Sequence, residues 1–141
     1  MIAYFDTSSV IPLIIEEPSS DICTRVWNEA SRIMSIRLLY PEGRAALARA
    51  ERIGRITRAQ LVAAVAELDS IIEEVDHIEV TAKLAHAAGE IAQAHGLRGY
   101  DAVHLAAATT AADHDLVFAT GDATLAMSAT SLGIAVAMTK P

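Results

Sequence analysis

The chain has 141 residues, of which 52% are hydrophobic, 4% aromatic and 21% charged. That is long and apolar enough for one folded domain with its own core, which excludes a disordered or collagen-like chain. Eighteen acidic side chains against eleven basic ones leave a net charge of -7, which does not suit a general electrostatic nucleic-acid binder.

Cys23 is the only cysteine, so neither an internal disulfide nor a thiolate zinc site is expected, and the composition points to a cytoplasmic setting. Met1 to Asp6 has no positive start, and a carboxylate interrupts its apolar run, unlike a signal peptide. Val10 to Ile15 is too short to span a bilayer and contains Pro12, so no membrane association is expected.

Along the chain, short apolar runs alternate with helical patterns, which argues for an α/β fold with a parallel sheet covered by helices on both faces. Ile2 to Phe5 reads as the first strand, and Asp6-Thr7-Ser8-Ser9 as a capping cluster for a helix. Ser19 or Ser20 starts the next helix, where Ile22, Val26, Trp27 and Ala30 recur at helical spacing, and Ile33 to Ile36 is the second strand. Pro41 suits a first helical turn, so a helix is expected from there to just before Gly54, with Glu42 in its first turn.

After Thr57, the apolar set Leu61, Val62, Val65, Leu68 and Ile72 marks one face of another helix, followed by a strand near His77 to Val80. Thr81 can cap the helix lined by Leu84, Ala88 and Ile91, which Gly96 ends. Gly99-Tyr100-Asp101 opens an almost wholly apolar, buried helix running to about Ala112. Leu116 to Ala119 is the fourth strand, Thr120-Gly121-Asp122 turns into a short helix, and Ile134 to Ala137 is the last strand. The chain shows no internal repeat or linker, so residues 1-141 are read as a single domain.

Ligands of open α/β sheets bind outside the carboxyl ends of the strands. Asp6 follows the first strand, Glu42 the second and Asp122 the fourth, while Asp101 heads the buried helix; all four are expected at that edge. Taken singly, Asp6, Asp122 and Glu42 are better read as acids favoured at helix N-termini whatever the protein does. Asp101 is harder to read that way, because an aspartate before an apolar run is seldom buried without a partner.

If the four converge, each pair about 6 Å apart repels by roughly 3 kcal/mol at an effective dielectric of about 20. A cation must offset that repulsion, and oxygen donors without a histidine or thiolate cluster suit Mg²⁺ or Mn²⁺ rather than zinc. The histidines at 77, 86, 95, 104 and 114 show no ligand spacing, and His104 is read as a packed or hydrogen-bonded helix residue. A hard ion with waters left on it supports phosphodiester hydrolysis. The chain has no phosphate-binding glycine loop, dinucleotide fingerprint or nucleophile elbow.

Several stretches together resemble a PIN-domain ribonuclease, and most closely the VapC toxins of toxin–antitoxin pairs. They are Tyr4-Phe5-Asp6-Thr7-Ser8, the Tyr40-Pro41-Glu42 helix start, Leu97-Arg98-Gly99-Tyr100-Asp101-Ala102-Val103-His104-Leu105-Ala106, and Phe118-Ala119-Thr120-Gly121-Asp122. The resemblance covers essentially the whole chain, and its most specific part is the run from Tyr100 to Ala106. It implies a three-layer α/β/α PIN-like fold with a mostly parallel sheet of about five strands. It further implies that Asp6, Glu42, Asp101 and Asp122 form a catalytic acidic site for Mg²⁺ or Mn²⁺, with Thr7, Ser8 and Thr120 orienting ligands or waters. RNA as substrate, a cognate antitoxin protein and a homodimer are implied in the same way, with an antitoxin arginine or lysine entering the acidic groove.

Other readings stay open. A phosphoaspartate phosphatase with Asp6 as nucleophile needs a second aspartate two residues on, where Ser8 stands, and a receiver domain needs acids where Thr7 and Thr81 stand. A non-catalytic PIN-like binding module and another metal-dependent phosphoryl hydrolase are also compatible with the residues. Six arginines and two acids lie between Arg37 and Arg58, a local charge of +4, which suits either a solvated helix face or a surface for RNA phosphates. Trp27 is read as core, Tyr100 as able to stack on a base. Leu38, Leu39 and the helix after Thr57 are candidates for a subunit contact.

Overall fold

In the computed structural model, which describes residues 1–112 and 114–141, Ile2–Phe5 forms β1 and Asp6 caps a single-turn helix, α1 (Thr7–Val10). A 3-10 turn over Ile11–Leu13, which the periodicity did not reveal, leads through the Pro18 region into α2 (Ser20–Glu29) and β2 (Arg32–Ile36). Then follow α3 (Leu39–Arg52), α4 (Arg58–Glu74), β3 (Asp76–Ile78), α5 (Ala82–His95), α6 (Gly99–Thr110), β4 (Leu116–Thr120), α7 (Ala123–Ser131) and β5 (Ala135–Met138).

Local chemistry explains most of these boundaries. Thr57 and Gln60 form a reciprocal capping box at the start of α4, and Thr81 accepts from the Leu84 N–H at the start of α5. Gly96 ends α5 in the left-handed conformation (φ 63°), which a residue with a Cβ adopts only at a cost. Helix α3 begins at Leu39 rather than Pro41, because the third helical position still lies in the first turn, where no intrahelical N–H bond is lost. Two strands depart from the expected runs: β3 starts one residue earlier and ends two residues earlier, and β5 shifts one residue later. Pairing decides their ends: Met34 to Ile36 of β2 match Asp76 to Ile78, and Val117 to Thr120 of β4 match Ala135 to Met138.

All five strands are parallel, in the order β3-β2-β1-β4-β5. Alternate residues of central β1 feed opposite layers, as strand geometry requires. Tyr4 packs with Ile36, Leu105, Phe118 and Leu125 on the α5–α7 side, whereas Ala3 and Phe5 pack with Leu39, Leu47 and Leu68 on the side of α1–α4. The three-layer α/β/α expectation therefore holds, and α6 is buried from Ala102 through Ala108 apart from Val103.

Two side-chain readings are also settled. Trp27 packs edge-on against Phe5, with centroids 5.4 Å apart. Leu39 is fully buried in the core and is unavailable to a second subunit; its apolar side chain fills the space between β1, α3 and α4 instead. Among the described residues, no helix is long and apolar enough to cross a membrane.

Candidate active site at the carboxyl edge of the sheet

The chain passes from β1 to β2 on one side and later returns to place β4 on the other, so the order of strands reverses about β1. A crevice opens outside the carboxyl ends of strands at such a switch point. Phe5 pairs with Ala119, which sets Asp6, one residue beyond β1, beside Thr120, the last residue of β4.

Asp6 is buried, with 4% of its surface exposed. Its Oδ1 accepts from the Ser8 hydroxyl at 2.7 Å and the Ser9 N–H at 3.1 Å, and its Oδ2 accepts from the Thr120 hydroxyl at 2.6 Å. Burial pushes the Asp6 carboxyl above its usual pKa, against the opposing pull of His104 and of the Thr120, Ser8 and Ser9 hydrogen bonds. None of the ion pairs among the described residues includes Asp6.

A second group adjoins it through the Asp6–Thr7 peptide. Glu42, in the first turn of α3, accepts at Oε1 from the Thr7 hydroxyl at 2.9 Å, and His104 Nε2 lies 2.7 Å from the same oxygen. An ionised carboxylate only accepts, so His104 Nε2 is the donor; in the neutral ring Nδ1 then accepts from the Tyr4 hydroxyl at 2.8 Å. Burial, with the nearby charges of Asp6 and Glu42, holds the Tyr4 phenol well above its usual pKa and so keeps it neutral.

The remaining two acids make other contacts. Asp101 lies one turn before His104, in the first turn of α6, and accepts from Arg98 Nε at 3.3 Å. Asp122 caps α7 by accepting from the Leu125 N–H at 3.1 Å, while its own N–H donates to Thr120 Oγ1 at 3.0 Å. Ser8 also accepts from the Gly121 N–H at 2.9 Å, tying the loop after β4 to the start of α1. Asp6 and Asp122 therefore do cap helices; that role and a place at the crevice coexist.

A buried carboxylate held by hydroxyls and one amide, with no ion-pair partner among the described residues, is a chemically suitable anchor for a hard cation, and Glu42 and Asp101 carry oxygens of the same kind. The donor set fits Mg²⁺ or Mn²⁺, which keeps several waters and needs only one or two carboxylates. A closed cage is not preformed: among the described residues, no group of three or more His, Cys, Asp or Glu side chains is placed to hold a metal ion. The reason is visible in the bonds above, since Glu42 faces His104 and Thr7, and Asp101 faces Arg98.

Residue spacing did not single out His104 and Tyr4 as neighbours of Glu42. The one available signal was a lone polar ring in the buried stretch of α6, one turn after Asp101. Nor did it reveal that Ser9 hydrogen-bonds Thr139 at 3.0 Å, which ties α1 to the residue after the last strand.

The PIN-domain family profile matches residues 3–130 of the chain. The chain belongs to the PIN-domain family. This PIN domain is 38% identical over 136 residues to Ribonuclease VapC45 of Mycobacterium tuberculosis (strain CDC 1551 / Oshkosh), a match that covers 96% of this chain and 94% of that protein. Its fold is shared with FitAcB from Neisseria gonorrhoeae, at TM-score 0.69 and 18% identity, covering 99% of this chain and 98% of the other. It is shared as well with a toxin-antitoxin complex from Klebsiella pneumoniae, at TM-score 0.63 and 17% identity, covering 97% of each chain.

Proposed function

We propose that this PIN domain, acting as one unit over residues 1-141, is an Mg²⁺- or Mn²⁺-dependent endoribonuclease and the toxin of a toxin–antitoxin pair in the cytoplasm. The observation that carries the reading is Asp6, a buried carboxylate in none of the ion pairs among the described residues, at the switch point of a chain 38% identical to a named ribonuclease.

Asp6, Glu42, Asp101 and Asp122 would hold the ion, Asp6 being the most rigidly placed because three donors fix both of its oxygens. When bound, the ion supplies a lowered pKa for an attacking water and stabilisation of charge on a phosphoryl oxygen. Thr120 and Ser8 keep Asp6 in one rotamer, and Thr7 does the same for Glu42. No side chain acts as a covalent nucleophile, and the 3′ oxygen leaves. The substrate's 2′-OH takes no part, so the preference for RNA follows from the relative rather than from the acids.

Arg44, Arg49 and Arg52, exposed on the helix that carries Glu42, are the proposed contacts for RNA phosphates. The antitoxin is proposed to place a basic side chain against the acids, as charge complementarity favours. A homodimer is proposed through exposed apolar side chains such as Val62 of α4.

The lack of a preformed ion cage favours a second reading, a non-catalytic PIN-like binding module. Incubating the purified protein with structured RNAs, with and without Mn²⁺, beside Asp6→Asn decides between them. Cleavage that requires both Mn²⁺ and Asp6 is expected; RNA binding without any Mn²⁺-dependent cleavage would leave only the binding module.

A further inference from the structure

We propose that His104 is a positioning residue for Glu42: from within the core it sets the rotamer of that carboxylate, and through it the affinity of the acidic site for a divalent cation. The inference rests on the metal site proposed above and adds to it a group that is not itself among the four acids.

Its placement is unusual for a helix residue. Between Ala102 and Ala108 the buried positions of α6 are otherwise Ala or Leu, yet His104 is 2% exposed and has both ring nitrogens engaged. Nδ1 is fixed by Tyr4 of central β1, itself fully buried and stacked on Phe118 at 5.3 Å. The ring stands edge-on to Tyr4, with centroids 5.8 Å apart. Nothing in this arrangement lets the imidazole rotate without breaking a buried hydrogen bond, so Nε2 presents its N–H to Glu42 in one direction.

Glu42 is otherwise poorly constrained. It lies in the first turn of α3, is only partly buried, and its remaining hydrogen bond comes from Thr7 to the same Oε1. Both donors thus hold Oε1, and none of the hydrogen bonds described reaches Oε2. A hinge-free support for one oxygen, with the other left for a ligand, is the arrangement by which an outer partner orients a metal-binding carboxylate. The chain Tyr4–His104–Glu42 therefore ties three elements, β1, α6 and α3, to the placement of a single oxygen.

The test uses Mn²⁺ alone, with no RNA, and reads its dissociation constant by calorimetry on the full chain. His104→Leu should weaken Mn²⁺ binding about 10- to 100-fold. His104→Gln, whose amide can still donate toward Glu42, should restore most of the affinity. In a Glu42→Gln background, His104→Leu should have no further effect on the dissociation constant, because the residue acts through that carboxylate. The double variant Tyr4→Phe/His104→Leu removes the phenol hydroxyl that the single change leaves unpaired, and supplies a folded protein if the single variant does not fold.

A merely structural histidine would lower the melting temperature and leave the Mn²⁺ constant alone. If Asp6→Asn abolishes Mn²⁺ binding while His104→Leu or the double variant binds like the wild type, the positioning role is wrong and the metal site stands. The role is equally wrong if His104→Leu weakens binding as much with Glu42→Gln as without it. If wild type and Asp6→Asn bind Mn²⁺ alike, or neither binds, the metal site fails and this inference fails with it.

Discussion

Thr120 Oγ1 donates to Asp6 Oδ2 at 2.6 Å across 114 positions of sequence, joining the ends of the two neighbouring strands β1 and β4. The same hydroxyl oxygen accepts from the Asp122 N–H, so one side chain orders two of the four acids. Ladder register is what makes the contact, since Phe5 opposite Ala119 leaves the next residue of each strand side by side.

Replacing Thr120 by Val keeps the shape and removes the hydroxyl. A hydrogen bond to a charged acceptor is worth about 1.5–3 kcal/mol, so Thr120→Val should lower the unfolding free energy of the metal-free protein by about that amount. Urea denaturation followed by circular dichroism measures it, and RNA cleavage should fall with it as Asp6 gains rotamer freedom. An unchanged midpoint and unchanged cleavage would mean that Asp6 does not depend on Thr120.

Asp6 also sets a pH dependence. Burial raises its carboxyl pKa in the folded state above the unfolded value of about 3.9, so the folded protein binds this proton more tightly than the unfolded chain does. Its contribution to stability is then fullest below the unfolded pKa and is lost as pH rises through the folded pKa. In metal-free buffer, the stability of wild type relative to Asp6→Asn should therefore fall as pH rises from the unfolded pKa of about 3.9 through the folded one. A flat difference across that window contradicts a raised Asp6. Charge repulsion alone suggests Asp101→Asn as the stabilising change, but Asp101 has Arg98 and the N-terminus of α6 beside it. Neutralising it is expected to cost about 0.3–1 kcal/mol instead.

The arginine-rich stretch divides in two. Arg37, Arg55 and Arg58 pair with Glu79, Glu17 and Glu51. Arg44 bonds the Tyr40 hydroxyl, and Arg49 and Arg52 are exposed without an acidic partner among the described residues. With the cleavage-deficient Asp6→Asn protein, Arg49→Ala and Arg52→Ala should each reduce the slope of log affinity for single-stranded RNA against log salt by about 0.7. Arg37→Ala should leave the slope unchanged. Equal slopes for all three variants would assign the stretch to a solvated face.

Much of this was legible in the residues. The Ile2–Phe5 run, the Thr57 and Thr81 caps and the Gly96 stop are local signals, and each appears where the sequence places it. Ends set by pairing were less so: β3 ends two residues early and β5 moves by one, because a parallel strand extends only as far as its neighbour offers hydrogen bonds. Leu39 looked like a surface candidate until packing between layers buried it.

The acids themselves divide along the same line. Asp6, Glu42, Asp101 and Asp122 were recognisable one by one, because each sits at a helix start that propensity and capping mark in sequence. For two of them the partner was decided only in three dimensions, Thr120 for Asp6 and His104 for Glu42, whereas Asp101 takes its local neighbour Arg98. The Thr120 and His104 contacts are reached through sheet register and helix packing, and those depend on the whole chain closing on itself, whereas caps and strands depend on residues a few positions away.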